Sequence, residues 1–314
     1  MNALIFPGQG SQLVGMGLEF YKNFKVVRDI FSQADDKLKF SLSKIILEGP
    51  ENELQLTKNT QPAILTVSFS IYKILIKEFN FSLDTCKYFA GHSLGEYSAL
   101  VCSGSLDFDD ALYLLHERGK EMQNAVPVGQ GSMIAVLGTE IKDIKNLIKE
   151  SIESGVCEVA NDNANGQVII SGDKETINSF QLFLGEKKIK SIPLKVSAPF
   201  HCSLMKPAAE TMKEKIKNVN FNKPKVKIIN NVNARSEDDT SKIKKLLIDQ
   251  ICSTVKWRET ILDASDLGVK NFIEIGPGKA LTGMVKRTVK KKPVNCFSVN
   301  SLDDINILQN ELKK

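Results

Sequence analysis

The sequence predicts an α/β protein, a parallel-sheet core that carries an elevated serine and has a smaller mixed module inserted into it. Three observations support this. Gly91-His92-Ser93-Leu94-Gly95 is a G-x-S-x-G pattern that follows the apolar run Tyr88-Phe89-Ala90 and opens a helical stretch from Glu96 to Val101. Between Gly131 and Lys195 the texture changes to short strands alternating with two amphipathic helices. The length, 314 residues, exceeds what one hydrophobic core usually supports.

On a strand–turn–helix elbow the serine sits at the apex in a strained backbone conformation, and the flanking glycines are needed because the chain crowds itself there. Ser93 is thereby lifted above the carboxyl end of the sheet, where a nucleophile can act. Coincidence is the alternative, and the strand-to-helix placement argues against it.

Composition narrows the function classes. The 42% hydrophobic and 25% charged fractions fit a soluble globular chain. The net charge of +5 is spread without aromatic interleaving, so no nucleic-acid partner is expected. Six scattered cysteines form no C-x-x-C pair, so neither a metal nor a disulfide framework is expected, and no cofactor is called for. Met1 to Pro7 lacks a basic segment and is too short in apolar run for a signal peptide. Thr66, Ser68, Ser70 and Lys73 interrupt the stretch from Pro62 to Ile76, so no membrane span is expected. A cytoplasmic monomer is the default expectation.

Ala3 to Phe6 reads as a first buried strand, running into the glycine-rich turn Pro7-Gly8-Gln9-Gly10-Ser11-Gln12. Leu13 stands where a dinucleotide fingerprint needs glycine, and Met16 where a phosphate loop needs lysine. The turn therefore either presents backbone N–H groups to an oxyanion or serves chain reversal alone. Asn59-Thr60-Gln61-Pro62 reads as a helix start. Asp107, Asp109 and Asp110 favour the start of the next helix, with the apolar stripe Ala111, Leu114, Leu115, Met122 and Ala125. Arg118 falls in the middle of that stripe. A buried guanidinium needs an anionic partner, which is either a protein carboxylate or a carboxylate on the substrate.

Strands are expected at Ser132–Leu137, Cys157–Ala160, Gln167–Ser171 and Ser191–Leu194, with helices at Lys142–Glu153 and Lys174–Leu184. The order β-α-β-β-α-β is the split arrangement of ferredoxin-like modules. Residues 129–196 are thus the expected small domain, and 1–128 with 197–314 the large one.

The chain returns through the loop Ser197-Ala198-Pro199-Phe200-His201 to a helix from Leu204 to Ile216. Of three histidines, His92 adjoins Ser93 on a tight turn where neighbouring side chains diverge, and His116 lies roughly 160° around its helix from Arg118. His201 remains as the base, titrating near neutrality, with a loop or core histidine as the alternative. Further strands are expected at Val226–Ile229, Asn271–Ile275 and Cys296–Val299, and a helix closes at Asp249-Gln250-Ile251. Lys286, Arg287, Lys290, Lys291 and Lys292 form a basic cluster, either a solvated helix end or a docking surface.

Phe6-Pro7-Gly8-Gln9-Gly10-Ser11-Gln12, Gly91-His92-Ser93-Leu94-Gly95-Glu96-Tyr97, Ala198-Pro199-Phe200-His201 and Glu274-Ile275-Gly276-Pro277-Gly278-Lys279 stand in the order found in malonyl-CoA:acyl carrier protein transacylases. The chain resembles that family over essentially its whole length. The resemblance implies an α/β-hydrolase-like core with a ferredoxin-like insertion. It makes Ser93 the nucleophile, His201 its base and Arg118 the partner of the malonyl carboxylate. It places the oxyanion hole at the backbone N–H groups of Gln12 and Leu94, and gives Gln250 the main-chain carbonyl that orients the histidine. Asn163 matches a pocket position, and Phe200 the bulky residue that accompanies malonyl choice. Asn165 and Thr254 stand where the family commonly has proline. The implied reaction carries malonyl from malonyl-CoA to acyl carrier protein through a malonyl-serine. A thioesterase is the alternative, although such hydrolases usually orient the base with Asp or Glu. A non-catalytic carrier-binding module is the third reading, against which Ser93, His201 and Arg118 stand together.

Overall fold

The computed structural model describes residues 1–196, 198–290 and 292–313; Ser197 of the expected loop, Lys291 of the basic cluster and Lys314 lie outside the described residues. Strand β1 (Asn2–Phe6) is buried at every position, as an apolar run at the centre of a parallel sheet must be. Helices α1 (Leu18–Asn23), α2 (Lys25–Leu38), α3 (Leu42–Glu48) and α4 (Glu51–Gln55) lead to α5 (Thr57–Lys77).

Helix α5 starts earlier than the sequence suggests, and Pro62 lies inside it rather than in its first turn. An interior proline removes the donor for the carbonyl four residues back, here that of Lys58. His116 Nδ1 lies 3.0 Å from that carbonyl and donates in its place. One of the protein's three histidines is thus spent on helix repair.

Strand β2 (Cys86–Gly91) lies parallel to β1 and ends at the elbow, from which α6 (Gly95–Cys102) departs. Helix α7 (Phe108–Asn124) is capped by Asp107, whose carboxylate accepts from the Asp109 N–H at 2.9 Å. Next come β3 (Gly131–Leu137), α8 (Ile141–Ser151), β4 (Cys157–Ala164), β5 (Gln167–Asp173), α9 (Lys174–Glu186) and β6 (Lys190–Pro193). Their four strands form an antiparallel sheet in the order β4-β5-β3-β6.

The chain continues through α10 (Lys206–Lys217), β7 (Lys227–Ile229), β8 (Ser236–Glu237), α11 (Thr240–Gln250) and α12 (Trp257–Asp266). It ends with β9 (Asn271–Ile275), α13 (Ala280–Thr288), β10 (Asn295–Val299) and α14 (Leu302–Leu312). The larger sheet has the order β10-β9-β1-β2-β7-β8 and is parallel except for β8, which reverses beside β7. The fold is therefore mixed α/β, with a parallel sheet and a second, antiparallel one.

Alternation along β1 and β2 divides the large core. Leu4, Phe6 and Phe89 face α5, α6 and α7, while Ala3, Ile5 and Ala90 face Trp257, Ile261 and Val285. A separate cluster joins Ile134, Val136 and Ile170 of the small sheet to Ile177 and Phe180 of α9. Backbone bonds tie the small sheet to the segment between α11 and α12: Val255 N–H donates to the Ala160 carbonyl at 2.9 Å and Asp162 N–H to the Val255 carbonyl at 3.0 Å. Thr254 adds its hydroxyl, donated to the Val159 carbonyl at 2.6 Å, and Asn165 donates to the Arg287 carbonyl at 3.4 Å. Both residues thus supply seam contacts that proline could not.

Candidate active site

The elbow needs both of its glycines. A Cβ on Gly91 would lie 1.9 Å from the Gly95 carbonyl group, and one on Gly95 would lie 2.2 Å from the Phe6 carbonyl oxygen. Between them Ser93 is held at φ 53, the left-handed region that costs an ordinary residue strain. Asn231 offsets that strain: its Oδ1 accepts from the Ser93 N–H and its Nδ2 donates to the Gly91 carbonyl, each at 2.7 Å.

Ser93 Oγ lies 2.7 Å from His201 Nε2, and His201 Nδ1 lies 2.9 Å from the main-chain oxygen of Gln250. A carbonyl only accepts, so Nδ1 carries the proton and Nε2 is left to accept from the serine. Burial, reinforced by Arg118 and His92 against the pull of the Gln250 carbonyl, pushes the His201 pKa down to about 3. The near-neutral titration expected from the sequence is corrected accordingly: the imidazole is neutral throughout the physiological range.

Arg118 is 1% exposed. Its Nη1 donates to Gln61 Oε1 at 2.8 Å, and its Nη2 donates to Gln250 Oε1 at 2.9 Å and to Ser93 Oγ at 3.2 Å. The guanidinium carbon lies 5.8 Å from the centre of the Tyr97 ring, and Nε has no partner among the described residues. No carboxylate of the described residues pairs directly with this cation, so the protein ion pair left open by the sequence is not formed.

The remaining expected residues surround these three. His92 turns away from Ser93, donating from Nε2 to Asn163 Oδ1 at 2.8 Å and meeting Trp257 edge-on. Phe200 is buried beside His201. The Gln12 side chain bonds within its own loop and to Gln55, while the N–H groups of Gln12 and Leu94 have no acceptor among the described residues. Leu94 immediately precedes α6, whose own first N–H groups, those of Gly95, Glu96 and Tyr97, are taken by the carbonyls of His92, Ser93 and Leu94. A cavity of about 1160 Å³ opens over Ser93, walled by Met133, Asn163 and Ile169 of the small sheet and by Leu281 and Met284 of α13.

Gln61, Asn231 and Glu96 were not singled out in the sequence. Glu96 had a signal: it is the one charged residue of α6, all eight of whose residues are buried. Its Oε2 accepts from the Asn231 N–H at 3.0 Å and from Gln250 Nε2 at 2.8 Å.

A parallel sheet that raises a serine on a glycine-flanked elbow against a buried histidine is the apparatus of enzymes that handle acyl groups through serine. The profile of the family described as "Acyl transferase domain" matches residues 3–304. The Haemophilus influenzae malonyl CoA-acyl carrier protein transacylase is 41% identical over 308 residues, 98% of this chain and 97% of that protein. The crystal structure of the Bartonella henselae acyl-carrier-protein S-malonyltransferase superposes with a TM-score of 0.95 at 40% identity, covering 100% of this chain and 99% of that one. A malonyl-transacylase in complex with its type II PKS acyl-carrier protein superposes at 0.94 with 38% identity, covering 98% and 99%. The chain belongs to the acyl transferase family and is an acyltransferase. Among the described residues no helix is long and apolar enough to cross a membrane.

Proposed function

We propose that this protein transfers the malonyl group of malonyl-CoA to the pantetheine thiol of an acyl carrier protein, supplying extender units for fatty acid synthesis. The observation that carries the reading is the 3.2 Å approach of Arg118 Nη2 to Ser93 Oγ. A malonyl thioester holds its carboxylate one methylene from the reacting carbonyl. A carboxylate received by Arg118 therefore leaves that carbonyl over the serine.

His201 Nε2 takes the Ser93 proton as Oγ attacks the thioester carbonyl, and the oxyanion is received by the N–H groups of Gln12 and Leu94. The carbon–sulfur bond breaks, His201 returns the proton to the departing thiolate, and a malonyl-serine remains. In the second half-reaction the carrier thiol gives its proton to His201 and attacks the ester carbonyl, the bond to Ser93 Oγ breaks, and His201 returns the proton to that oxygen. Ping-pong kinetics follow. The Gln250 carbonyl keeps His201 in the tautomer that both steps need. Asn163 fixes the His92 ring at the cavity wall, and Phe200 narrows the space beside the malonyl methylene.

In the same reading, residues 129–196 are a ferredoxin-like domain, and 1–128 with 197–314 are an α/β-hydrolase-like one. The strand order of the small sheet and the elbow of the large one support this. One chain supplies every residue of the site, in keeping with a monomer. Six free cysteines suit the reducing cytoplasm.

The test is intact-protein mass spectrometry after brief mixing with malonyl-CoA. A malonyl adduct that is absent in Ser93→Ala and moves to acyl carrier protein is the expected result. An adduct that decays in water whether or not the carrier is present would instead mark a hydrolase.

A further inference from the structure

The serine–histidine pair has no carboxylate of its own, yet a buried one stands a single residue away from it. Glu96 is 1% exposed and is met by Gln250 Nε2 at 2.8 Å. The other end of the same side-chain amide, Oε1, accepts from Arg118 Nη2 at 2.9 Å. Nε2 also reaches the Ser93 carbonyl at 3.1 Å, and the Gln250 main-chain oxygen holds His201 Nδ1 at 2.9 Å. One neutral residue therefore separates a buried carboxylate from a buried guanidinium and touches both members of the pair. A cation removed from water needs compensating negative charge nearby, and Arg118 has none in direct contact.

We propose that Glu96 is a positioning residue and the resident counter-charge of the site: through Gln250 it balances Arg118 while no substrate carboxylate is present, and it fixes the carbonyl that aims His201. The inference rests on the malonyl reading above. When a malonyl carboxylate reaches Arg118, two anions face one cation, and Glu96 yields by taking up a proton.

The surroundings suit that exchange. Burial raises the Glu96 pKa to about 7, against the opposing pull of the Asn231 N–H, the Gln250 amide and Arg118. Of the elements packed on α6, β1 carries no charged residue, Lys87 of β2 and Lys227 of β7 are exposed, and the buried residues of α5 are uncharged. Helix α7 brings Arg118, and α6 itself brings Tyr97, whose phenol is raised to about 12 by burial and stays neutral. His201 lies beyond Gln250 and is neutral as well.

An ionised Glu96 competes with the substrate for Arg118. In the wild-type protein the KM for malonyl-CoA therefore rises from pH 6 to pH 8.5, while inhibition by acetyl-CoA, with the same phosphates and no terminal carboxylate, lacks that slope. Glu96→Gln keeps the shape and removes the competitor: the malonyl-CoA KM falls about threefold or more at pH 8 and becomes flat with pH. A purely structural carboxylate would raise KM as kcat fell and leave the slope in place, which would overturn the proposal. A wild-type KM that is flat with pH would overturn it too, even if the variant did not fold. Intact mass of the same samples separates the two readings. A malonyl adduct without the pH slope refutes the role of Glu96 alone, and no adduct refutes the malonyl reading along with it.

Discussion

His201 Nδ1 donates to the Gln250 main-chain carbonyl at 2.9 Å, so a neutral amide oxygen stands where serine hydrolases commonly place a carboxylate. The difference shows in titration. Burial and Arg118 hold the His201 pKa down to about 3, so the folded protein refuses a proton that the unfolded chain accepts near pH 6.5. This histidine therefore costs no stability above about pH 6.5 and progressively more as the pH falls from there toward 3. Within that window the basic form of His201 persists. The rate at which a neutral sulfonyl fluoride modifies Ser93 should hold within about twofold between pH 8 and pH 5. A histidine of ordinary pKa would lose its basic form about thirtyfold over the same range.

We propose that Arg118 sets the choice of acyl group. It is buried, and its Nε has no partner among the described residues. A malonyl carboxylate gives the guanidinium a fork-shaped partner, whereas an acetyl group leaves it with only neutral amide and hydroxyl oxygens in direct contact. Losing one member of such a pair costs about 2 to 5 kcal/mol, or roughly 30-fold to several thousandfold in discrimination. Arg118→Ala should lower malonyl transfer by that order and raise acetyl acceptance. Arg118→Lys should not restore the preference, because an ammonium offers no planar fork. Competition between the two thioesters, read by the mass of the Ser93 adduct, measures both effects.

The site was legible in the sequence wherever its signal is local. Gly91, Ser93 and Gly95 impose their turn by sterics within five residues, and the strands show as short apolar runs. What escaped is set by distance. Glu96 and Asn231 meet across 135 positions, so nothing beside either residue announces the other. Pro62 is tolerated inside α5 because His116, on another helix, supplies the missing donor, and the sequence near Pro62 therefore reads as a helix start. Strand β8 is two residues long and exists only through its pairing with β7. The depressed proton affinity of His201 comes from burial, which no loop sequence records.

Asn231 holds the elbow in its strained form, and its removal should separate the turn from the chemistry it supports. Asn231→Ala leaves the Ser93 N–H and the Gly91 carbonyl without their 2.7 Å partners in a buried setting. Each orphaned group costs about 1–3 kcal/mol. Denaturant unfolding should show a loss of that order, and acylation of the folded fraction should slow as Ser93 relaxes. Asn231→Asp keeps an acceptor for the Ser93 N–H but sets a buried carboxylate oxygen against the Gly91 carbonyl, so at neutral pH it should lose at least as much as Asn231→Ala. Equal stability of all three would show that the turn needs no brace.

Carrier recognition can be sought at the far end of α13. Leu281 and Met284 of this helix line the cavity, and its last turn carries the exposed Lys286 and Arg287, with Lys290 following. Arg287 is engaged with Gln167 and Lys292 with Asp266, which leaves Lys286 and Lys290 without a carboxylate partner among the described residues. A basic turn on the helix that lines the mouth is suited to steer an acidic carrier toward Ser93. Lys286→Glu combined with Lys290→Glu should raise the KM for acyl carrier protein about tenfold, with a penalty that shrinks as salt is added. In the proposed ping-pong order the burst of Ser93 malonylation comes before carrier binding, and it should stay within about twofold of wild type. An unchanged KM for the carrier would place the docking face elsewhere on the rim. A slowed burst would mean that the lysines serve coenzyme A instead.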